Sequence, residues 1–172
     1  MTMNQTKKPS VLVTGASRGI GKAIALTFAS HGYRVAITCR KNEEKLYEVR
    51  DQIISMGTDC LTYVGDLGDY SFVQTMFKSI DSSFHGIDVL INNAGMSYIG
   101  LLTDMSPEEW NQILSTNLTS MFYCSKLAVP SMVHNKQGKI INISSVWGMV
   151  GASNEVAYSA SKAGIIGLTK AL

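Results

Sequence analysis

The chain has 172 residues, 45% of them hydrophobic, enough to bury one sizeable core in a single domain spanning 1–172. Its formal charge is +2 and its 15 lysines and arginines are scattered, so no basic stripe for nucleic acid is present. Only 16% of residues are charged, below the roughly 25% usual in soluble proteins, which points to surface covered by other subunits or by further chain. Cys39, Cys60 and Cys124 form no CxxC pair and have no histidine at ligand spacing. Neither a metal site nor a disulfide framework is therefore expected, and all three read as buried, reduced thiols. The opening MTMNQTKKPS runs into a strand without a long apolar core or cleavage signal. No apolar run approaches the roughly 18 residues of a membrane span, so the expectation is a soluble, cytoplasmic chain with no membrane partner.

Short β-branched runs alternate with longer stretches of helical period, the pattern of repeated βαβ units and a parallel sheet. Strands are expected over Ser10 to Thr14, Tyr33 to Cys39, Asp59 to Gly65, Ile87 to Asn92 and Lys139 to Ser144. Helices are expected over Ile20 to Ser30, Glu43 to Ser55, Phe72 to Phe84, Pro107 to about Asn135, and from about Val156 to Leu172. Ser106, Pro107 and Glu109 supply an N-cap, a proline at the first helical position and a capping-box glutamate for the long one. The fold class is α/β, a doubly wound, Rossmann-like parallel sheet. Such sheets commonly have six strands and five are visible, and no breaker ends the last helix, so further strands and helices are expected to be missing on the C-terminal side.

Directly after the first strand, Thr14-Gly15-Ala16-Ser17-Arg18-Gly19-Ile20-Gly21 opens a helix. Glycines 15, 19 and 21 permit a tight turn and close approach of a ligand, and the helix start offers free N–H groups and a positive dipole end to a pyrophosphate. At the end of the second strand, Thr38-Cys39-Arg40-Lys41 carries no carboxylate for a ribose hydroxyl. Arg40, with Arg18 on the first loop, could instead clamp a 2′-phosphate, so NADP(H) is preferred to NAD; the plainer alternative is that Arg40 and Lys41 are solvated charges. On the last helix, Tyr158 and Lys162 stand at i and i+4 on one face. A free phenol titrates near pH 10, roughly three units above neutrality. A neighbouring ammonium favours the phenolate and makes such a group a usable acid or base.

These motifs, in this order, resemble the short-chain dehydrogenase/reductase family over essentially the whole chain. The glycine turn matches TGxxxGxG, Asn92-Asn93-Ala94-Gly95 matches NNAG, and Tyr158 to Lys162 matches YxxxK with Ser145 thirteen residues earlier and Asn117 on the long helix. The resemblance implies an NADP-dependent oxidoreductase acting between a carbonyl and an alcohol. Ser145 would polarise the carbonyl, Tyr158 exchange the proton, Lys162 bind the nicotinamide ribose, and Asn117 hold a relay water. It implies cofactor contacts from Gly15, Ser17, Arg18, Gly19, Ile20, Gly21, Arg40, Asp66, Leu67, Asn93, Ala94, Gly95, Tyr158 and Lys162, with Asp66 meeting the adenine. Ser144 is taken as structural.

Details such as GKIINISSVWG before Tyr158 resemble the 3-oxoacyl-[acyl-carrier-protein] reductases of fatty acid synthesis, usually tetramers, in which a basic residue at the place of Lys136 grips the acidic carrier. The expected substrate is a small-molecule or carrier-bound β-ketoacyl thioester, and a homo-oligomer is expected. A relative acting on a sugar, steroid or small alcohol, and a catalytically silent dinucleotide-binding fragment, stay as alternatives. His31, His85 and His134 read as caps or surface residues, and Met96, Met105, Met121, Met132 and Met149 as core or substrate-pocket lining.

Overall fold

A computed structural model describes residues 8–172; the reading of the first seven residues lies outside the described part. Five parallel strands are present: β1 (Ser10–Val13), β2 (Arg34–Cys39), β3 (Cys60–Val64), β4 (Val89–Asn92) and β5 (Lys139–Asn142). They lie in the order β3-β2-β1-β4-β5, with Val11 opposite Val35 on one side and Val89 on the other. The chain leaves β1 in one direction and later returns to its other side at β4. That reversal opens a crevice above the carboxyl ends of β1 and β4, where open α/β sheets bind ligands.

The strands alternate their side chains between two apolar layers, as a sheet covered on both faces requires. Val11, Val13, Val35 and Ile37 meet Leu46, Val49 and Ile53 of α2 (Glu43–Ser55) and Ala25 and Ala29 of α1 (Gly19–Ser30). Leu12, Ala36 and Leu90 meet Val73, Phe77 and Ile80 of α3 (Tyr70–Phe84) and Cys124 and Ala128 of α5 (Ser120–His134).

The expected elements are all present, most of them trimmed or extended by a residue or two where ladders and helices fray. Two local features differ from expectation. The long helix is interrupted: α4 (Pro107–Leu114) and α5 are joined by a π-turn at Ser115–Thr119. Its start is as expected, since Ser106 Oγ accepts from Glu109 N and Glu109 returns a bond to the Ser106 N–H. A short helix, α6 (Trp147–Val150), stands between β5 and α7 (Val156–Ala171), in a stretch to which the sequence reading assigns no element. It is too brief for apolar periodicity to show.

Cys39 and Cys124 are buried, but Cys60, on the edge strand β3, is only half-buried, which corrects the expectation of three buried thiols. His31 and His85 are the C-caps of α1 and α3, and His134 ends α5. Among the methionines, Met121 and Met132 are in the core while Met149 is exposed. No helix among the described residues is long and apolar enough to cross a membrane.

Candidate active site

The glycine turn shapes one half of the crevice. Gly15 and Gly19 have φ of +66° and +57°, the left-handed region that favours glycine. A Cβ on Gly15 would come 2.8 Å from Ala94 Cα, and one on Gly21 would drive into the Gly15 carbonyl and the Asn93 amide. The turn is therefore packed directly against the loop after β4. Asn93 fastens that contact: its side-chain nitrogen donates to the carbonyls of Thr14 and Gly15 (2.9 and 3.1 Å), and its backbone N–H donates to Thr14 Oγ1 (2.9 Å). Asn92 braces the sheet in the same way, donating to Asn142 Oδ1 on β5 at 2.8 Å.

No side chain caps the N-terminus of α1, whose N-cap residue is Arg18. Its first-turn N–H groups and positive dipole end are thus available to an anion. A groove of about 660 Å³ opens there, lined by Ser17, Arg18, Ile20, Arg40, Asn93 and Gly95 among others. Uncapped helix, glycine turn and two guanidinium groups make a donor set that fits a phosphorylated dinucleotide. Arg40 is engaged: its Nη2 lies 2.9 Å from Asp66 Oδ2. Asp66 and Leu67 line a small slot beside the groove, with Ala94 and Thr116.

The other half of the site is built on α7. Tyr158 and Lys162 share a face, with Lys162 Nζ 5.5 Å from the Tyr158 ring centroid. Lys162 is 4% exposed and donates to the Ile143 carbonyl at 2.8 Å. Burial pushes its ammonium below the ordinary lysine value.

Asn117 sits inside the π-turn, wholly buried. It accepts from the Met96 N–H (2.8 Å) and donates to the Met96 carbonyl (2.9 Å) and Ser161 Oγ (3.0 Å), locking the loop after β4 onto α7. A Cβ on Gly95 would lie 3.4 Å from Asn117 Oδ1 and 3.7 Å from Lys162 Nζ, so both groups border the same small space. Ser145 follows β5 and its hydroxyl accepts from the Trp147 N–H at 3.2 Å, at the start of α6. Ser144, next to it, donates to the Lys162 carbonyl at 2.9 Å, and Gly148 permits α6 to touch the backbone of α7 at Lys162. Strand end, short helix and α7 are thereby held as one unit.

Lys136 lies elsewhere. It follows α5 and precedes β5, with φ +51°, at the amino end of that strand, whereas Ser145 follows its carboxyl end. Two features of the site escaped sequence reasoning: the π-turn and the ion pair between Arg40 and Asp66. The Ser115, Thr116, Thr119 and Ser120 cluster was a signal for the first, since such hydroxyls compete for helix backbone, and Ser120 Oγ does donate to the Thr116 carbonyl. Nothing in local sequence pointed to the second.

The glycine turn, the buried lysine under a tyrosine and the parallel sheet define a nucleotide-binding oxidoreductase class. The chain belongs to the short chain dehydrogenase family, whose model matches residues 9–172. It is 44% identical over 168 residues to a 3-oxoacyl-[acyl-carrier-protein] reductase FabG of Staphylococcus aureus, covering 98% of this chain and 68% of that one. It is 41% identical over 159 residues to a 3-oxoacyl-[acyl-carrier-protein] reductase of Synechocystis sp., covering 92% and 64%. The chain thus spans about two thirds of the length of these relatives. A crystal structure of a metagenomic short-chain oxidoreductase in complex with NADP superimposes with a TM-score of 0.91 at 36% identity, covering 95% of this chain and 74% of that one.

Proposed function

We propose that this protein binds NADP(H) in the groove and reduces a carbonyl to an alcohol, with a 3-oxoacyl thioester of acyl carrier protein as its substrate. The observation that carries the reading is the buried Lys162 ammonium, 5.5 Å from the Tyr158 ring centroid and next to Gly95, which lines a groove whose donors fit a phosphorylated dinucleotide. NADPH, when bound, supplies the hydride.

The residues of the chain do the rest. Tyr158 gives its phenolic proton to the carbonyl oxygen, and Lys162, anchored on Ile143, stabilises the phenolate left behind. The Ser145 hydroxyl donates to the same carbonyl oxygen and polarises it. Asn117 holds the Gly95–Met96 backbone in place and borders the space next to Lys162, where a relay water would restore the tyrosine proton. Gly15, Ser17, Gly19, Ile20, Gly21, Asn93, Ala94 and Gly95 shape the groove, Arg18 and Arg40 take the 2′-phosphate, and Asp66 and Leu67 border the adenine.

The relatives' printed activity supports the carrier-bound substrate. Lys136 is left out of this scheme because it stands at the amino ends of the strands, opposite to the groove. We also propose that copies of the chain associate, supported by the exposed Phe122 and Val133 on α5. A second reading, coenzyme binding without turnover, is favoured by the open flank of the site, where Met149 and Val150 are 78% and 71% exposed.

Consumption of NADPH and of NADH with an acetoacetyl thioester tests the proposal. Turnover with NADPH, and much slower turnover with NADH, is expected. Tight NADPH binding with no turnover would replace it with the second reading, and equal use of both coenzymes would remove the role given to the two arginines.

A further inference from the structure

Two side chains assigned to different parts of one adenosine are bonded to each other. Arg40 Nη2 lies 2.9 Å from Asp66 Oδ2 and also donates to Gln112 Oε1 at 3.2 Å. Gln112, on α4, is itself steadied by donating through Nε2 to Thr116 Oγ1 at 3.0 Å. The remaining Asp66 oxygen accepts the Gly68 N–H at 2.8 Å. The Arg40 side chain is therefore stretched from the end of β2 to α4, across the slot bordered by Thr38, Asp66, Leu67, Ala94 and Thr116.

The space left in that slot is about 40 Å³. A volume of that size holds no more than a few waters, and both Asp66 oxygens are already bonded, one to Arg40 and the other to the Gly68 N–H. An adenine that takes Asp66 as its acceptor, with a 2′-phosphate that takes Arg40, breaks the pair between them.

We infer that Arg40 is a gate over the adenine slot, held shut by Asp66 and by Gln112, a positioning residue outside the lining of the coenzyme groove. The inference rests on the proposed reading in which the adenosine of NADP(H) occupies this slot and Arg40 takes its 2′-phosphate. The charge of Arg40 is satisfied in the closed state by a carboxylate and in the open state by phosphate, so the gate exchanges one anion for another. Both members of the pair are well exposed, at 42% and 36%, and exposed pairs are weak. The closed state thus outweighs the open one only several-fold.

Any ligand that binds the open state alone has its apparent affinity reduced by the open fraction. Loosening the latch tightens binding, and strengthening it weakens binding. Gln112 offers both directions. Leucine removes the acceptor for Arg40, whereas glutamate supplies a charged one, and both residues are good helix formers that keep α4 intact.

The test is calorimetric titration of the protein, Gln112→Leu and Gln112→Glu with 5′-AMP and with adenosine 2′,5′-bisphosphate, after circular dichroism shows equal folding. For 5′-AMP, about two- to five-fold tighter binding is expected for Gln112→Leu, and binding weaker by a similar factor for Gln112→Glu. Weaker binding in both variants, as a merely structural role would give, overturns the gate, as does no change in either. The bisphosphate arm judges the underlying reading separately. If the unaltered protein binds it no better than 5′-AMP, Arg40 does not take a 2′-phosphate, whatever the two variants do with 5′-AMP.

Discussion

Single residues in this chain are set by what surrounds them, and the thiols show it plainly. Burial pushes Cys60 and Cys124 up to about 12 from an ordinary 9.0. In the unfolded chain both would release their protons near the ordinary value. A group whose pKa is raised by folding contributes stability that is complete below the unfolded value and is lost as pH rises through the folded one. Stability should therefore fall between pH 9.0 and about 12. A Cys60→Ser, Cys124→Ala variant should lose less over that window in urea titrations; an unchanged pH profile would show that the thiols are not responsible. The site residues were legible because the chemistry fixes both their type and their spacing: Gly15 where φ is positive, Asn93 where loop carbonyls need a donor, Tyr158 and Lys162 one helical turn apart. The partner of Arg40 was not. Asp66 is far away in sequence and reaches Arg40 only because β2 and β3 are neighbours.

Elements were legible in proportion to their length. The start of α4 follows from three residues, and the capping box formed as expected. Replacing Ser106 by alanine should destabilise the protein by about 1 kcal/mol, seen as a lower urea midpoint with an unchanged slope. No shift would mean that tertiary packing alone holds that helix start. The interior of the same helix was read as continuous, because apolar periodicity carries across a five-residue π-turn. The turn is a local widening, and its sequence mark is hydroxyl residues that bond to backbone rather than a break in pattern. Its consequence falls at the candidate site, since Asn117 turns inward there to hold Met96 and Ser161. The short α6 was missed for the opposite reason: one turn leaves no periodicity to read, yet its contact at Gly148 fixes Ser145 relative to Lys162.

At the scale of the molecule, the strand order brings together residues from the beginning, middle and end of the chain. The glycine turn after β1, the loop after β4 and the α7 face meet above the point where the order reverses. Alternation of strand and helix predicted this parallel sheet, and its reversal beside β1 places groove and tyrosine on the same edge. Lys136 precedes β5 and therefore lies at the amino ends of the parallel strands, away from the groove at their carboxyl ends. The central claim is that the site is one machine, with the groove to hold the coenzyme and Tyr158 to move the proton. The most direct measurement compares the protein with Tyr158→Phe for NADPH affinity and for turnover of an acetoacetyl thioester. The account predicts an unchanged affinity and turnover lower by about 10²-fold or more; a phenylalanine variant that turns over as fast as the original would contradict it.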